Sequence, residues 1–316
     1  MRIAVLALDD VFDTGLSSLL DTFAIANELS PAPPLDVSIV SLRRPIRTHL
    51  GFLVAGLAPP RRAPDLVIVP ALAAKQPETI AAALARPDVV EAARLIAAWH
   101  ARGSRVAAAC TGTFVLGRSG TLDRRRATTS WWLGPAFRKA FPTVELDESE
   151  MLVRDGPVLT AGAALAHVDL ALAILREGSP DLAATVARYL LIDDRPSQAS
   201  YIAPAHLLHD DEIVKAFERW VRRNLRAPFE VKRAAHAIGS SERTLQRRIR
   251  AVLGKPPIMF VQDLRIERAV HLLRMSRASV DDIAAKVGYG NGSTLRTLLR
   301  RRLNTTVGAI RGRSPN

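Results

Sequence analysis

The sequence predicts a parallel-sheet α/β sandwich followed by an all-α domain that holds two helix–turn–helix units. Three observations carry that expectation. Short apolar runs alternate with helical patterns over the first two hundred residues, the signature of a sheet covered on both faces. The charge excess is confined to the last third of the chain. Within that third, a pattern of two short helices around a glycine occurs twice.

RIAVLAL opens the chain as a strand, followed by the amphipathic LSSLLDTFAIANEL. LDVSIVSL is a second strand, and DLVIVPAL a third, bounded by Pro64 and Pro70. PDVVEAARLIAAWHARG reads as a helix that Pro87 starts and Gly103 ends. SRVAAAC is a strand apolar throughout, and TGTFVLGRSG opens the next helix directly. Right-handed crossovers are expected to join these strands. The first strand meets Asp9 and Asp10 at once, which fits neither a secretory leader nor a membrane span. A cytoplasmic protein without a membrane partner is therefore expected. One cysteine in 316 residues excludes an internal disulfide and a cysteine-caged zinc.

In such sheets, ligands bind at the carboxyl ends of the strands. Cys110 stands there, on the turn between VAAAC and the helix that begins near Gly112. A sharp strand-to-helix turn holds a nucleophile out in hydrolase elbows, and a helix N-terminus lowers a thiol pKa. Cys110 is thus a nucleophile, a redox sensor, a pocket-lining residue or an inert buried thiol, and the sequence leaves these open. The candidate pocket residues are Asp13, Cys110, Thr111, Gly112 and His167. Catalysis needs a base beside the thiolate. The residue after Cys110 is Thr111, and His49, His100 and His167 are the histidines of this half. His100 ends a helix of the outer layer, where a solvated ring is expected. His167 follows PVLTAGA, and a satisfied or solvent-facing ring is the expectation there as well. HExxH, phosphate-cradling glycine loops and paired-carboxylate motifs are missing, so no catalytic residue, cofactor or metal is assigned.

The charge is split. Residues 1–205 carry 21 Lys+Arg and 21 Asp+Glu, whereas residues 206–316 carry 23 and 10, the whole net charge of +13. A neutral domain followed by an Arg-rich one is the footprint of an appended polyanion-binding module, a solvated surface being the alternative. DEIVKAFERWVRRNL places Ile213, Phe217, Trp220 and Val221 on one face, with Arg222, Arg223 and Arg226 near its end before Ala227-Pro228. VKRAAHAIGSSERTLQRRIRAVLG then reads as helix, turn at Gly239, helix. Ser241 caps the second helix, Leu245 and Ile249 face inward, and Arg243, Gln246, Arg247 and Arg250 face out. Arg and Gln are the side chains that read guanine and adenine edges.

SVDDIAAKVGYGNGSTLRTLLRRRL repeats the pattern. Ser279 is the cap, Val280, Ile283 and Ala284 are apolar, and Gly288 is the turn. A second helix from about Ser293 has Leu295, Leu298, Leu299 and Leu303 inward and Arg296, Thr297, Arg300 and Arg301 outward. Between the units, IMFVQDLRIERAVHLLRMS makes a helix about 27 Å long. That length lets two reading helices sit about 34 Å apart, one duplex turn.

VAAACTGTFVLGRSGTLDRRRATTSWW, FPTVELDESEMLVRDGPVLTAGAALAHVDLALAIL and VARYLLIDDRPSQASY together resemble the GlxA-type transcriptional regulators. The resemblance runs from Met1 to about Ile310. It implies a PfpI-like, glutamine amidotransferase-like domain of flavodoxin-like fold over residues 1–200, and an AraC-type DNA-binding domain over 206–316. SSERTLQRRIRAVLGKPPIMFVQDLRIERAVHLLR is similar to the AraC/XylS signature. By that resemblance, Arg243, Gln246 and Arg247 contact bases in the first unit and Ser293, Arg296 and Thr297 in the second; Thr244, Arg250 and Arg300 complete the expected DNA-binding set.

Departures bear on function. PfpI-like hydrolases place a histidine after the elbow cysteine, where this chain has Thr111, and related regulators carry a histidine where Ser130 precedes Trp131. His167 stands where a small residue is usual, and either fills the pocket or adds a ligand contact. In the second helix–turn–helix unit Leu295 and Leu299 replace Phe, Thr297 replaces Arg, Asn304 replaces Gly and Val307 replaces Pro, which points that unit toward phosphate contacts. The resulting expectation is a homodimeric regulator that binds double-stranded DNA and senses an unidentified small molecule without catalysis. A cysteine-dependent hydrolase or hydratase is the first alternative, and a nonspecific architectural DNA binder the second.

Overall fold

The computed structural model describes residues 1–30, 35–43, 45–55, 57–58, 62–193, 195, 197–198, 202, 211–303 and 305–312. The chain divides into two compact units, Met1–Gln198 and Ala199–Asn316. Residues 200 and 206, where the sequence puts the domain limits, lie outside the described residues, as does Asn304.

The first unit runs β1 (Arg2–Leu6), α1 (Asp13–Leu29), β2 (Asp36–Val40), β3 (Ile46–Arg47), β4 (Leu53–Val54), β5 (Leu66–Val69), α2 (Pro77–Ala85), α3 (Pro87–Ala101), β6 (Arg105–Ala109) and α4 (Gly112–Arg118). It continues with β7 (Arg126–Ala127), a 3₁₀ turn (Trp131–Leu133), α5 (Gly134–Ala140), β8 (Glu145–Leu146), β9 (Leu152–Asp155), β10 (Val158–Ala161), α6 (Ala166–Gly178) and α7 (Pro180–Tyr189). The main sheet has the order β2-β1-β5-β6-β10-β9. Its first five strands are parallel, in the order of flavodoxin-like sheets.

The sixth strand adds an antiparallel edge to the expected parallel sheet. β9 pairs antiparallel with β10, because only Gly156 and Pro157 separate them and so short a link permits only a hairpin. Gly156, with φ of +56°, makes that turn.

β5 and β10 are buried at every residue, as strands sandwiched between helix layers must be. Alternation along the strands assigns the two faces. Ile3, Val5, Ile68, Ala107 and Leu159 pack with Leu19 and Phe23 of α1 and with α6 and α7. The opposite face is covered by α3 and α4. Alanine at 107, 108 and 109 leaves β6 thin, which lets both layers approach closely.

The second unit contains α8 (Glu212–Arg223), α9 (Val231–Ala237), α10 (Glu242–Leu253), α11 (Pro257–Met275), α12 (Val280–Lys286), α13 (Gly292–Leu303) and α14 (Val307–Gly312). On α8 the fully buried positions are Val214, Phe217 and Val221, while Ile213 and Trp220 sit at the edge of that core. Ser241 and Ser279 accept the backbone N–H of Thr244 and Asp282, each at 3.1 Å, and so cap α10 and α12. α13 begins one residue earlier than the sequence suggests, because Asn291 accepts the N–H of Thr294 at 2.8 Å. Among the described residues, no helix is long and apolar enough to cross a membrane.

Candidate functional site

In the first unit, three of the five pocket candidates, Thr111, Gly112 and His167, meet residues 69–72 at the carboxyl end of β5. Phe12, preceding Asp13, donates its N–H to Ala71 O at 2.8 Å. His167 Nε2 accepts the N–H of Ala71 at 3.0 Å. Thr111 donates its hydroxyl to Leu72 O. Gly112 lies so close that a Cβ there would stand 2.3 Å from Val69 O and 2.8 Å from Pro70 O. Glycine at 112 is therefore what allows α4 to start against the end of β5.

Cys110 sits at the elbow with φ of +54°, a left-handed conformation that costs a side chain with Cβ about 1–2 kcal/mol. Neighbours hold it there. Its N–H donates to Ala161 O at 2.9 Å, and its carbonyl accepts the hydroxyl of Thr129 at 2.7 Å. Its sulfur shares a hydrogen bond with Ser130 Oγ at 2.8 Å. The residue is only 5% exposed. Burial pushes the thiol above its ordinary pKa, and hydrogen bonds from Ser130 and Thr111 offset only part of that. The expected lowering by a helix N-terminus is thus outweighed, since desolvation penalises the thiolate over a short seven-residue helix.

His167 is fully buried at the start of α6. With Nε2 accepting from Ala71, Nδ1 carries the proton and donates to Ala164 O at 2.7 Å. Burial lowers its pKa to about 4, so the ring is neutral at physiological pH. Both nitrogens being engaged, it is the satisfied histidine of the sequence reading, wedged against Gly15 of α1. His49 is exposed, and His100 is bound through Nδ1 to Ser104 O at 3.0 Å. Asp13 accepts the N–H of Leu50 through Oδ2 at 3.0 Å, while its buried Oδ1 has no hydrogen-bond partner.

Sequence reading missed Gln198. Fully buried at the end of the first unit, it donates to Thr129 O at 2.9 Å and to Glu150 O at 3.2 Å, bracing the strand-like segment that carries Ser130. A glutamine 88 positions from the cysteine leaves no local signal for that role. No group of three metal-ligating side chains occurs among the described residues.

In the second unit, α9–α10 and α12–α13 form the two helix–turn–helix pairs. Leu245, Ile249 and Leu253 are buried, whereas Arg243, Gln246, Arg247 and Arg250 are exposed and their side chains have no partner among the described residues. Arg248 of the same helix behaves differently, binding Asp211 at 2.6 Å. Thr244 is half-buried beside the Ser241 cap and accepts its hydroxyl at 2.9 Å. On α13, Leu295 and Leu299 are buried and Ser293, Arg296, Thr297 and Arg300 are exposed. Each unit thus presents one uncompensated basic row, fixed by the apolar positions behind it.

Comparison with known proteins accounts for both units. Residues 78–177 match the DJ-1/PfpI family, and residues 234–313 match the helix-turn-helix domain family. The chain joins a DJ-1/PfpI domain to an AraC-type helix–turn–helix domain. It is 29% identical over 188 residues to the HTH-type transcriptional regulator CdhR of Pseudomonas aeruginosa, covering 58% of this chain and 55% of that one. It is 28% identical over 224 residues to the HTH-type transcriptional regulator GlxA of Rhizobium meliloti, covering 67% and 66%. The chain therefore spans less than two thirds of the length of these relatives. It is also 37% identical over 78 residues to the isonitrile hydratase of Pseudomonas putida, covering 24% of this chain and 32% of the enzyme. Proteins similar to parts of this chain thus include regulators and an enzyme. A crystal structure of an AraC family transcriptional regulator from Pseudomonas putida shares the fold with a TM-score of 0.51 at 20% identity, over 60% of this chain and 98% of that one.

Proposed function

We propose that this chain is a sequence-specific, DNA-binding transcriptional regulator whose first unit senses a small molecule without catalysing a reaction. The observation that carries the reading is the row Arg243, Gln246, Arg247 and Arg250, exposed and without partners among the described residues, on a capped helix buried along its other face. That row suits base edges in a major groove, and Arg296 and Arg300 of α13 add a second point of attachment. The partner is double-stranded DNA, bound by a homodimer in the cytoplasm. In this reading the effector binds at the carboxyl end of the sheet near Cys110, where Asp13 carries a buried Oδ1 without a hydrogen-bond partner.

The absence of catalysis rests on Cys110. A nucleophilic thiol needs a base within hydrogen-bond reach, and the group there is the hydroxyl of Ser130. His167, the buried imidazole of this region, has both nitrogens committed elsewhere. A second reading, a cysteine-dependent hydrolase, is favoured by the strained elbow at Cys110 itself. One experiment separates the two. Purified chain is used to select duplexes from a random pool, and its thiol-dependent turnover of amide, aldehyde and isonitrile panels is measured in parallel. A recovered consensus without turnover supports the regulator. Turnover abolished by Cys110→Ala, with no consensus, overturns it.

A further inference from the structure

The two helix–turn–helix units have separate apolar cores. Phe260, Val261 and Leu264 of α11 pack with α8, α9 and α10, whereas Ile266, Ala269 and Leu273 pack with α12, α13 and residues of α14. Each unit therefore grips a different stretch of the same nineteen-residue rod. Helices of this length bend, so the rod alone leaves the angle between the units loosely specified.

A polar contact crosses that division. Lys255 immediately follows Gly254, the residue that ends α10, and its Nζ donates to Asp263 Oδ2 at 3.1 Å. Arg302 stands in the last turn of α13 and donates through Nη1 to the other oxygen, Asp263 Oδ1, at 3.0 Å. Its Nη2 donates to Gln262 Oε1 at 2.7 Å. The Asp263 side chain is only 19% exposed. Such partly desolvated, divided pairing is stronger than that of an open surface pair.

We propose that Asp263 is the positioning residue that sets the angle and spacing of α10 and α13, by tying the carboxyl end of each to one point on α11. The base-reading side chains lie toward the opposite, amino ends of those helices. A small rotation about the tie moves Arg243 against Ser293 and changes which pair of grooves the module spans. The tie also consumes Lys255 and Arg302, which are thereby withdrawn from phosphate binding. This inference rests on the DNA-binding reading for its consequence, but the geometry is testable without DNA.

The test places spin labels at Glu242→Cys and Arg301→Cys, both exposed, in the full chain with Cys110→Ala, and reads the distance distribution between α10 and α13. With Asp263 present, a single narrow distance is expected. Asp263→Asn broadens it, Asp263→Glu restores it, and Lys255→Met, which cuts one tie, broadens it with Arg302 still paired. Should Asp263→Asn unfold, Lys255→Met decides the matter. An unchanged distribution overturns the proposal.

A DNA arm reads the consequence on the duplex selected by the wild type. Removing an acidic charge by itself tightens binding to any duplex. Asp263→Asn is expected instead to weaken the selected site at least about tenfold, as two linked contacts lose their match, without weakening random duplex. Equal loss on random duplex marks Asp263 as merely structural and overturns its positioning role. Failure of the wild type to select any sequence leaves the label result intact and sinks only the regulator reading.

Discussion

The sulfur of Cys110 and the hydroxyl of Ser130 share a hydrogen bond of 2.8 Å at the elbow of the first unit. Ser130 occupies the position at which related regulators are expected to carry histidine. A hydroxyl stabilises a thiolate far less than an imidazolium does, and burial dominates the thiol's titration.

From this follows slow alkylation. At neutral pH, iodoacetamide is expected to label Cys110 more slowly than a free thiol, with a rate that climbs only at pH values above the ordinary thiol range. Ser130→Ala removes a hydrogen bond that favours the thiolate and slows labelling further; Ser130→His accelerates it at neutral pH. Mass spectrometry against time checks this. Rapid labelling of the wild type at pH 7 contradicts the buried, protonated thiol.

His167 gives a pH prediction with a definite sign. Its folded pKa of about 4 lies below the ordinary 6.5, so the unfolded chain binds a proton that the folded chain refuses. The stabilisation is complete above pH 6.5 and is lost as pH falls toward 4, an effect of about 3 kcal/mol. Urea midpoints for the wild type and His167→Gln, compared between pH 7 and 4, isolate this group from the carboxylates. Parallel curves for the two proteins count against it.

Gly112→Ala is expected to destabilise the first unit by about 2–3 kcal/mol, because the new methyl meets backbone oxygens of Val69 and Pro70 that cannot swing aside. Thermal unfolding of the wild type and variant is the measurement. A melting temperature unchanged within a degree or so is incompatible with the close approach.

On DNA, Arg243→Ala is expected to cost about 1–3 kcal/mol on the selected site and to relax its sequence at one position. Arg248→Ala, already paired with Asp211, should change binding far less. Arg300→Ala should weaken all duplexes alike and reduce the salt slope by about one, the mark of a phosphate contact. Titrations at several salt concentrations separate these outcomes. Equal, sequence-independent losses for all three make the chain a nonspecific binder.

Much of the architecture is written in local pattern. Short apolar runs marked the strands and a period of 3.6 the helices, Ser241 and Ser279 marked two helix starts, and the arginine row on α10 follows from where Leu245 and Ile249 must face. The elbow at Cys110 was legible because a strand runs into a helix without a loop. Other features are not local. β9 turned antiparallel through a Gly-Pro link, α13 took its cap from Asn291, and α8 centred on Val214 in place of Ile213.

Charge distribution, helix faces and the missing elbow imidazole were thus determined by the order of residues alone. The pairing of Ser130 with Cys110, of His167 with Ala71 across 96 positions, and of Asp263 with Arg302 across 39 was decided by tertiary packing. Periodicity records which way a side chain points along its own element. Which distant group meets it depends on how whole elements stack, and only the folded chain settles that.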